Sequence, residues 1–233
     1  LFRSSLFEQF GSVPNLFTPN PNLKPETSRG WDAGVELTFL GGRAVLDATW
    51  FDNDFKDKIR GAFSGFTSTS INVQGVSTRQ GLELSARVIP LPGLTIAASY
   101  TFLDAREPTG VQEIRRPRDS ARFDVTYLFD RERARVGLHA VYNGQMKDEA
   151  LRTGDFCFFG CFPLTQERVT LKDYWLVSVN AAYKLTPTLE LFARGENILD
   201  QRYQEVYGFQ TPGAAVYGGL RVTLQDTSLA KSP

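Results

Sequence analysis

The chain has 233 residues, 42% hydrophobic and 22% charged, and its 26 basic and 26 acidic side chains cancel to a formal net charge of zero. That balance argues against a nucleic-acid partner, which favours clustered basic surface. A single histidine with two cysteines falls short of the four ligands of a structural zinc site. Of the longer uncharged runs, 61–78 is rich in Gly, Ser and Thr, and 88–103 is broken by Pro90, Pro92 and Gly93. Neither is the roughly 20-residue apolar helix that spans a bilayer. The first residue is Leu1 rather than Met and no signal-peptide pattern is visible, so processing or truncation is expected to have removed the true start.

Residues 1–28 are aromatic and rich in Pro and Asn, without a sustained period, and read as the end of a long loop. Within them Asn20-Pro21-Asn22-Leu23-Lys24-Pro25-Glu26 carries two prolines, which remove backbone donors and extend the residues before them, giving a rigid lead-in. Trp31, Ala33, Val35, Leu37 and Phe39 then alternate with Asp32, Gly34, Glu36 and Thr38, the period of a strand with one apolar face. Alternation and turn signals predict about nine strands, over 29–40, 43–54, 72–89, 94–103, 122–129, 134–143, 174–185, 189–202 and 215–224. Gly75 and Gly81 predict bending or bulges in the third. A polar loop runs to about residue 70, the longest loop covers 144–172, and 225–233 reads as a tail.

Two regularities decide the class. Connections near 41, 91, 131 and 187 are a few residues, whereas those near 62, 111, 158 and 208 are on the order of ten to thirty, the asymmetry of membrane barrels. On strands three to nine, the phase holding Leu84, Ile96, Val125, Leu138, Val179 and Leu220 is free of charge, while the opposite phase holds Glu83, Arg87, Asp124, Arg135, His139 and Arg194. A lipid-facing surface purges charge and a wet lumen admits it, because Arg or Lys at the bilayer midplane costs roughly 2–4 kcal/mol. A β-sandwich acting as a surface binding module or adhesin shows a similar split and is the rival reading. Aromatic placement separates them: Trp31, Trp50, Phe102, Tyr142 and Trp175 fall near the long-loop end of the apolar phase, and Phe39, Phe129 and Tyr183 near the short-turn end. Those are two interfacial girdles.

The Asn20–Glu26 segment with its following aromatic and Gly-x-Glu strand resembles the TonB-dependent outer-membrane receptors. Thr78-Arg79-Gln80-Gly81-Leu82-Glu83-Leu84, Ser99-Tyr100-Thr101-Phe102-Leu103-Asp104-Ala105 with Arg116-Pro117, and Asn197-Ile198-Leu199-Asp200-Gln201-Arg202-Tyr203 are similar to further motifs of that family. In form the chain is nearest the vitamin B12 and siderophore branch. The resemblance implies an all-β, antiparallel transmembrane barrel, here about nine C-terminal strands of a probable 22, with the plug domain and earlier strands absent. It implies 1–28 as the end of a long extracellular loop and 29–224 as C-terminal barrel strands. It also implies a bacterial outer-membrane receptor, with no enzymatic activity, for high-affinity uptake of a metal chelate or cobalamin-like nutrient. The implied partners are outer-membrane lipid, that small-molecule ligand, and TonB through the missing N-terminal region; no cofactor and no nucleic acid are expected. One departure is the end of the chain: no Phe follows Phe209, and the last strand is not terminal.

Candidate ligand-binding residues in extracellular loops are Arg106, Arg115, Arg116, Phe158, Phe159 and Tyr207. Together with Arg118 and Arg122, these arginines suit an anion such as a siderophore carboxylate or phosphate; pairing with lipopolysaccharide phosphates, or with Glu107, Glu113 and Asp119, is the alternative. Cys157 and Cys161 lie in the longest loop, four apart with Gly160 between, and form a disulfide candidate if that loop is outside the cell. Two free thiols, or metal or redox use, are the other readings. Asp52, Asp54 and Asp57 have no defined calcium-loop spacing. No metal site and no catalytic constellation stand out, since one histidine and no nucleophile elbow leave hydrolysis without its parts.

Overall fold

The computed structural model describes residues 4–64, 67–153 and 164–224. A short helix α1 (Leu6–Phe10) is followed by β1 (Thr27–Phe39), β2 (Ala44–Lys56), β3 (Ile59–Ser64), β4 (Thr67–Asn72), β5 (Val76–Leu91) and β6 (Leu94–Arg106). Then come β7 (Asp119–Phe129), β8 (Ala134–Asn143), β9 (Met146–Thr153), β10 (Leu164–Leu171), β11 (Tyr174–Lys184), β12 (Leu189–Glu196) and β13 (Ala215–Val222). Nine of these form one antiparallel sheet in the order β1-β2-β5-β6-β7-β8-β11-β12-β13, and β3–β4 and β9–β10 are separate hairpins. Each sheet neighbour is a sequence neighbour once the hairpins are removed, the up-and-down order of a barrel wall. The sheet is not closed: β1 and β13 each pair on one side only among the described residues.

The register turns the sequence alternation into two continuous faces. Val35, Ala48, Leu84, Tyr100, Ala121, Tyr142 and Trp175 lie in one cross-strand row. Thr49, Glu83, Thr101, Ser120, Asn143 and Tyr174 form the adjacent row on the other face. On the uncharged face Leu37, Leu46, Leu84, Val136, Leu191 and Leu220 remain 39–64% exposed. A sandwich buries such a face under a second sheet, and no second layer covers it among the described residues. The sandwich reading therefore fails on packing. The girdle residues also meet across strands: Trp50, Leu82 and Phe102 are in register, and the Tyr142 and Trp175 rings are 4.9 Å apart.

Burial is concentrated elsewhere. Leu23, Met146, Ala150, Leu171 and Tyr174 are buried at the long-connection end, together with the polar Ser70, Glu113, Asp148 and Asn197. The packed interior lies among the loops.

Several sequence-based boundaries shift, each for a local reason. The predicted eighth strand runs to 202, but β12 stops at Glu196 because Asn197 and Asp200 take φ of +46° and +48°. The third starts at Val76 rather than 72, since Gly75 turns the chain at φ +96° and Asn72 ends β4. The fifth begins at Asp119 rather than 122. No bulge sits at Gly81, whose pairing with Phe51 and Leu103 is regular; a Cβ there would stand 2.1 Å from the Phe102 carbonyl oxygen, so close backbone approach is what requires glycine. The irregularity falls between Val88 and Leu91, around Pro90, which has no N–H to give the ladder. The loops near 62 and 158 each contain a hairpin, and the segment 1–28 contains a helical turn with a Ser5/Glu8 capping box.

Candidate functional site

All the long connections emerge at one end of the sheet, and four carboxylates and two asparagines tie them together. Glu26 accepts from the Ile59 amide at 2.5 Å, and Asn72 accepts from the Lys24 amide at 2.8 Å while its own amide donates to the Lys24 and Asp57 carbonyls. Asn20 donates to the Ser70 carbonyl at 3.0 Å. The proline-rich segment is thus a clasp that fastens the chain's first residues to the β3–β4 hairpin.

Glu113 joins the 107–118 loop to two other elements. It accepts from Lys58 Nζ at 2.5 Å and from Arg79 Nε and Nη2 at 3.1 and 2.9 Å. Glu107 accepts from Arg168 of β10, and Arg60 of β3 lies 3.8 Å away. Asp148 of β9, with no side-chain exposure, accepts from Arg115 Nε at 2.9 Å, the Tyr207 amide at 2.6 Å and the Glu149 amide at 2.9 Å. One buried carboxylate therefore holds three segments together: the 107–118 loop, the β9–β10 hairpin and the 197–214 loop. That last loop has its own frame. Asn197 donates to the Gln201 and Pro212 carbonyls and accepts from the Gln201 amide, and Asp200 accepts from the Ala214 amide. Tyr203 packs on Tyr174 with ring centroids 4.4 Å apart.

Burial alone would raise the Glu113 carboxyl, but hydrogen bonds from Lys58 and Arg79 outweigh it and hold it below its ordinary value. At Asp148 burial likewise pushes upward, and the Tyr207 and Glu149 amides with Arg115 bring the group below the usual range. Lowered folded values mean that this stabilisation is complete above the unfolded carboxylate pKa of about 4 and is lost as pH falls through the folded values. The loops should accordingly loosen in acid while the strands persist. A nitroxide label at Val111 should become more mobile below about pH 4; mobility that stays constant through that range would show that the carboxylates do not hold the loops.

Between the Leu171–Asp173 turn and the 197–214 loop lies a cavity of about 800 Å³, lined by Lys172, Asp173, Arg202, Tyr203, Tyr207 and Gln210 among others. Below it the polar face of the sheet carries paired charges. Arg122 makes two bonds to Asp124, at 2.6 and 3.0 Å; Asp124 contacts His139 Nδ1 at 2.6 Å, and Asn180 Nδ2 contacts His139 Nε2 at 2.7 Å. Arg194 stacks 4.8 Å over the Tyr217 ring, and Arg221 pairs with Glu190.

The sequence-predicted residues are dispersed around this end. Arg106 is engaged with Asp104 and the Gly110 carbonyl. Arg115 is committed to Asp148, with φ +56°. Arg116 is exposed, and its carbonyl accepts from Gln112. Tyr207 borders the cavity, 43% exposed. Phe158, Phe159, Cys157 and Cys161 lie outside the described residues. The three carboxylates named as alternative partners for the arginines have other contacts: Glu107 meets Arg168, Glu113 meets Lys58 and Arg79, and Asp119 accepts from the Tyr100 hydroxyl. Asp148 and Asn197 were not singled out as positioning residues by sequence reasoning. Among the described residues no group of three or more His, Cys, Asp or Glu could hold a metal ion, and no helix is long and apolar enough to cross a membrane.

Comparison with known proteins decides the class. The family model described as TonB dependent receptor-like, beta-barrel matches residues 1–198. The chain belongs to this family. The receptor barrel is 29% identical over 202 residues to the vitamin B12 transporter BtuB of Photobacterium profundum, covering 82% of this chain and 29% of that protein. Its fold matches the ferripyoverdine receptor of the Pseudomonas aeruginosa outer membrane at a TM-score of 0.69 and 19% identity, over 87% of this chain and 28% of that one. It matches the copper transporter OprC at a TM-score of 0.72 and 17% identity, over 95% and 34%. The chain thus spans under a third of the length of the B12 transporter and the ferripyoverdine receptor. As a TonB-dependent receptor barrel it is a bacterial outer-membrane protein, and its family is one of transporters and receptors, not enzymes.

Proposed function

We propose that the chain is the C-terminal part of the barrel wall of an outer-membrane receptor that takes up a metal chelate, siderophore or cobalamin-like, with energy delivered by TonB to a region outside this sequence. The observation that carries this reading is the latched loop cluster above a charged wall face. Glu113 and Asp148 hold the loops in one arrangement, so a ligand meets a preformed rim and less ordering is lost on capture. Residues 1–28 act as the end of an extracellular loop, 29–224 as barrel strands and 225–233 as a tail. The cavity beside Tyr207 is the ligand-contacting surface, with Arg116, Arg106 and Arg115 along the rim and Phe158 and Phe159 at the β9–β10 connection. Cys157 and Cys161 act as a disulfide that stiffens this connection.

The test is uptake by cells whose sole receptor is the full-length protein, supplied in turn with radiolabelled cyanocobalamin and with ferric siderophores. Accumulation of one ligand class that disappears when TonB is deleted supports the reading. Accumulation of none, from a receptor shown to be at the cell surface, removes it.

A further inference from the structure

Most cations at the long-connection end of the wall are already engaged. Asp104 and Asp148 take Arg106 and Arg115, Glu113 takes Lys58 and Arg79, and Glu107 takes Arg168. Two cations lining the cavity of about 800 Å³ are not. Lys172, in the two-residue connection from β10 to β11, and Arg202, in the 197–214 loop, make no side-chain ion pair or hydrogen bond among the described residues. Both are exposed.

The carboxylates lining the same cavity are directed elsewhere. Asp200 accepts from the Ala214 amide at 3.0 Å, and Asp173 interacts with the Tyr142 hydroxyl. Neither forms an ion pair with Lys172 or Arg202 among the described residues. The cavity also has a defined side. Tyr203, next to Arg202, packs on Tyr174, whose cross-strand row belongs to the charged face of the sheet. The loop therefore folds over that face and brings its free cation with it.

Hydrogen-bonding capacity then selects the ligand. Lysine and arginine heads donate and never accept, whereas the unpartnered Gln204 and Gln210 amides do both. What the cavity leaves unmet is thus weighted toward donors and positive charge. A matching ligand brings acceptors and negative charge. Carboxylates are acceptors only, and the guanidinium fork takes their oxygens in pairs. A neutral ligand would desolvate both cations without pairing them, which opposes binding.

We propose that Lys172 and Arg202 select an anionic metal chelate, one whose uncoordinated carboxylates project from the metal, over neutral or cationic chelates and over cobalamin. The selection rests on the cavity beside Tyr207 being the nutrient-contacting surface, and narrows the nutrient to one charge class.

The experiment is equilibrium dialysis of the purified full-length receptor against three probes: ferric citrate, which is anionic; ferrioxamine B, which is cationic; and cyanocobalamin, which is neutral overall. Ferric citrate should bind about tenfold or more tighter than the other two, and added salt should weaken it by screening. Lys172→Gln and Arg202→Gln should each weaken ferric citrate about tenfold, the scale of one charge-assisted hydrogen bond, and leave the other probes unchanged. Arg202→Lys should restore part of the loss, because the charge returns without the fork. Wild-type affinity for ferric citrate in both glutamine variants overturns the proposal, as does binding of none of the three probes. TonB-dependent uptake of cobalamin or ferrioxamine at the wild-type rate, without binding of ferric citrate, overturns it and leaves the uptake reading standing. A surface-exposed receptor that imports no chelate and no cobalamin removes both.

Discussion

Asp148→Ala should open the loop cluster while leaving the barrel assembled. The carboxylate is fully buried and accepts two backbone amides and one guanidinium, so its removal strands the Tyr207 and Glu149 N–H groups in a site with little water. Each unsatisfied donor costs about 1–3 kcal/mol. The Arg115 contribution is discounted, because that side chain is half exposed and screened. The expected local loss is about 3 kcal/mol, carried by the two amides. Arg115→Ala should therefore do much less than Asp148→Ala. Asp148→Asn keeps the volume but halves the acceptor capacity, and should fall between them. Amide exchange at Tyr207 is the measurement: protection unchanged in Asp148→Ala would show that the 197–214 loop is held by its Asn197 and Asp200 frame alone. In the full-length receptor the same variant should weaken ligand capture without reducing surface expression.

The second large effect concerns the wall. Leu138 sits between Val125 and Val179 in the middle of the uncharged face, whereas Thr126 is on the charged face in register with Gly137 and Thr95. Leu138→Arg should cost roughly 2–4 kcal/mol of folding free energy in a bilayer, with Thr126→Arg near neutral, because only the first puts a guanidinium in hydrocarbon. Urea titration of the full-length receptor in vesicles measures both. Equal losses at the two positions would reverse or erase the assigned orientation.

These two predictions differ in how visible their basis is in the sequence. The wall was legible because one rule, an uncharged phase opposite a charged one, runs through strands three to nine, so Leu84, Ile96, Val125, Leu138 and Val179 could be phased before any neighbour was known. Turn chemistry placed the short connections for the same local reason. The loops obey no such period. Lys147-Asp148-Glu149 reads as three solvated charges, and only the fold shows that the middle one is enclosed by residues 33 and 59 positions away. Asn20 and Glu26 were read for the prolines between them, whereas their side chains do the fastening, to Ser70 and Ile59. Asn197 and Asp200 stood inside an apparent alternation that backbone φ ends. Long-range polar contacts leave no local trace, and the candidate site is made of them.

The strand lengths have a consequence of their own. β1, β2 and β6 are 13 residues long and β5 is 16, whereas β12 and β13 are 8. A tilted strand needs about 9–11 residues to cross a bilayer. With the short turns aligned on one side, the first strands rise above the membrane as a parapet, by about 7–23 Å of strand at the rise per residue of a β-strand. The last two end at or below its surface. Among the described strands the rim is therefore slanted, high over β1, β2, β5 and β6 and low over β12 and β13, so along this stretch of wall a solute drifting over the cell surface meets the lowest strands beside the loop that follows Asn197.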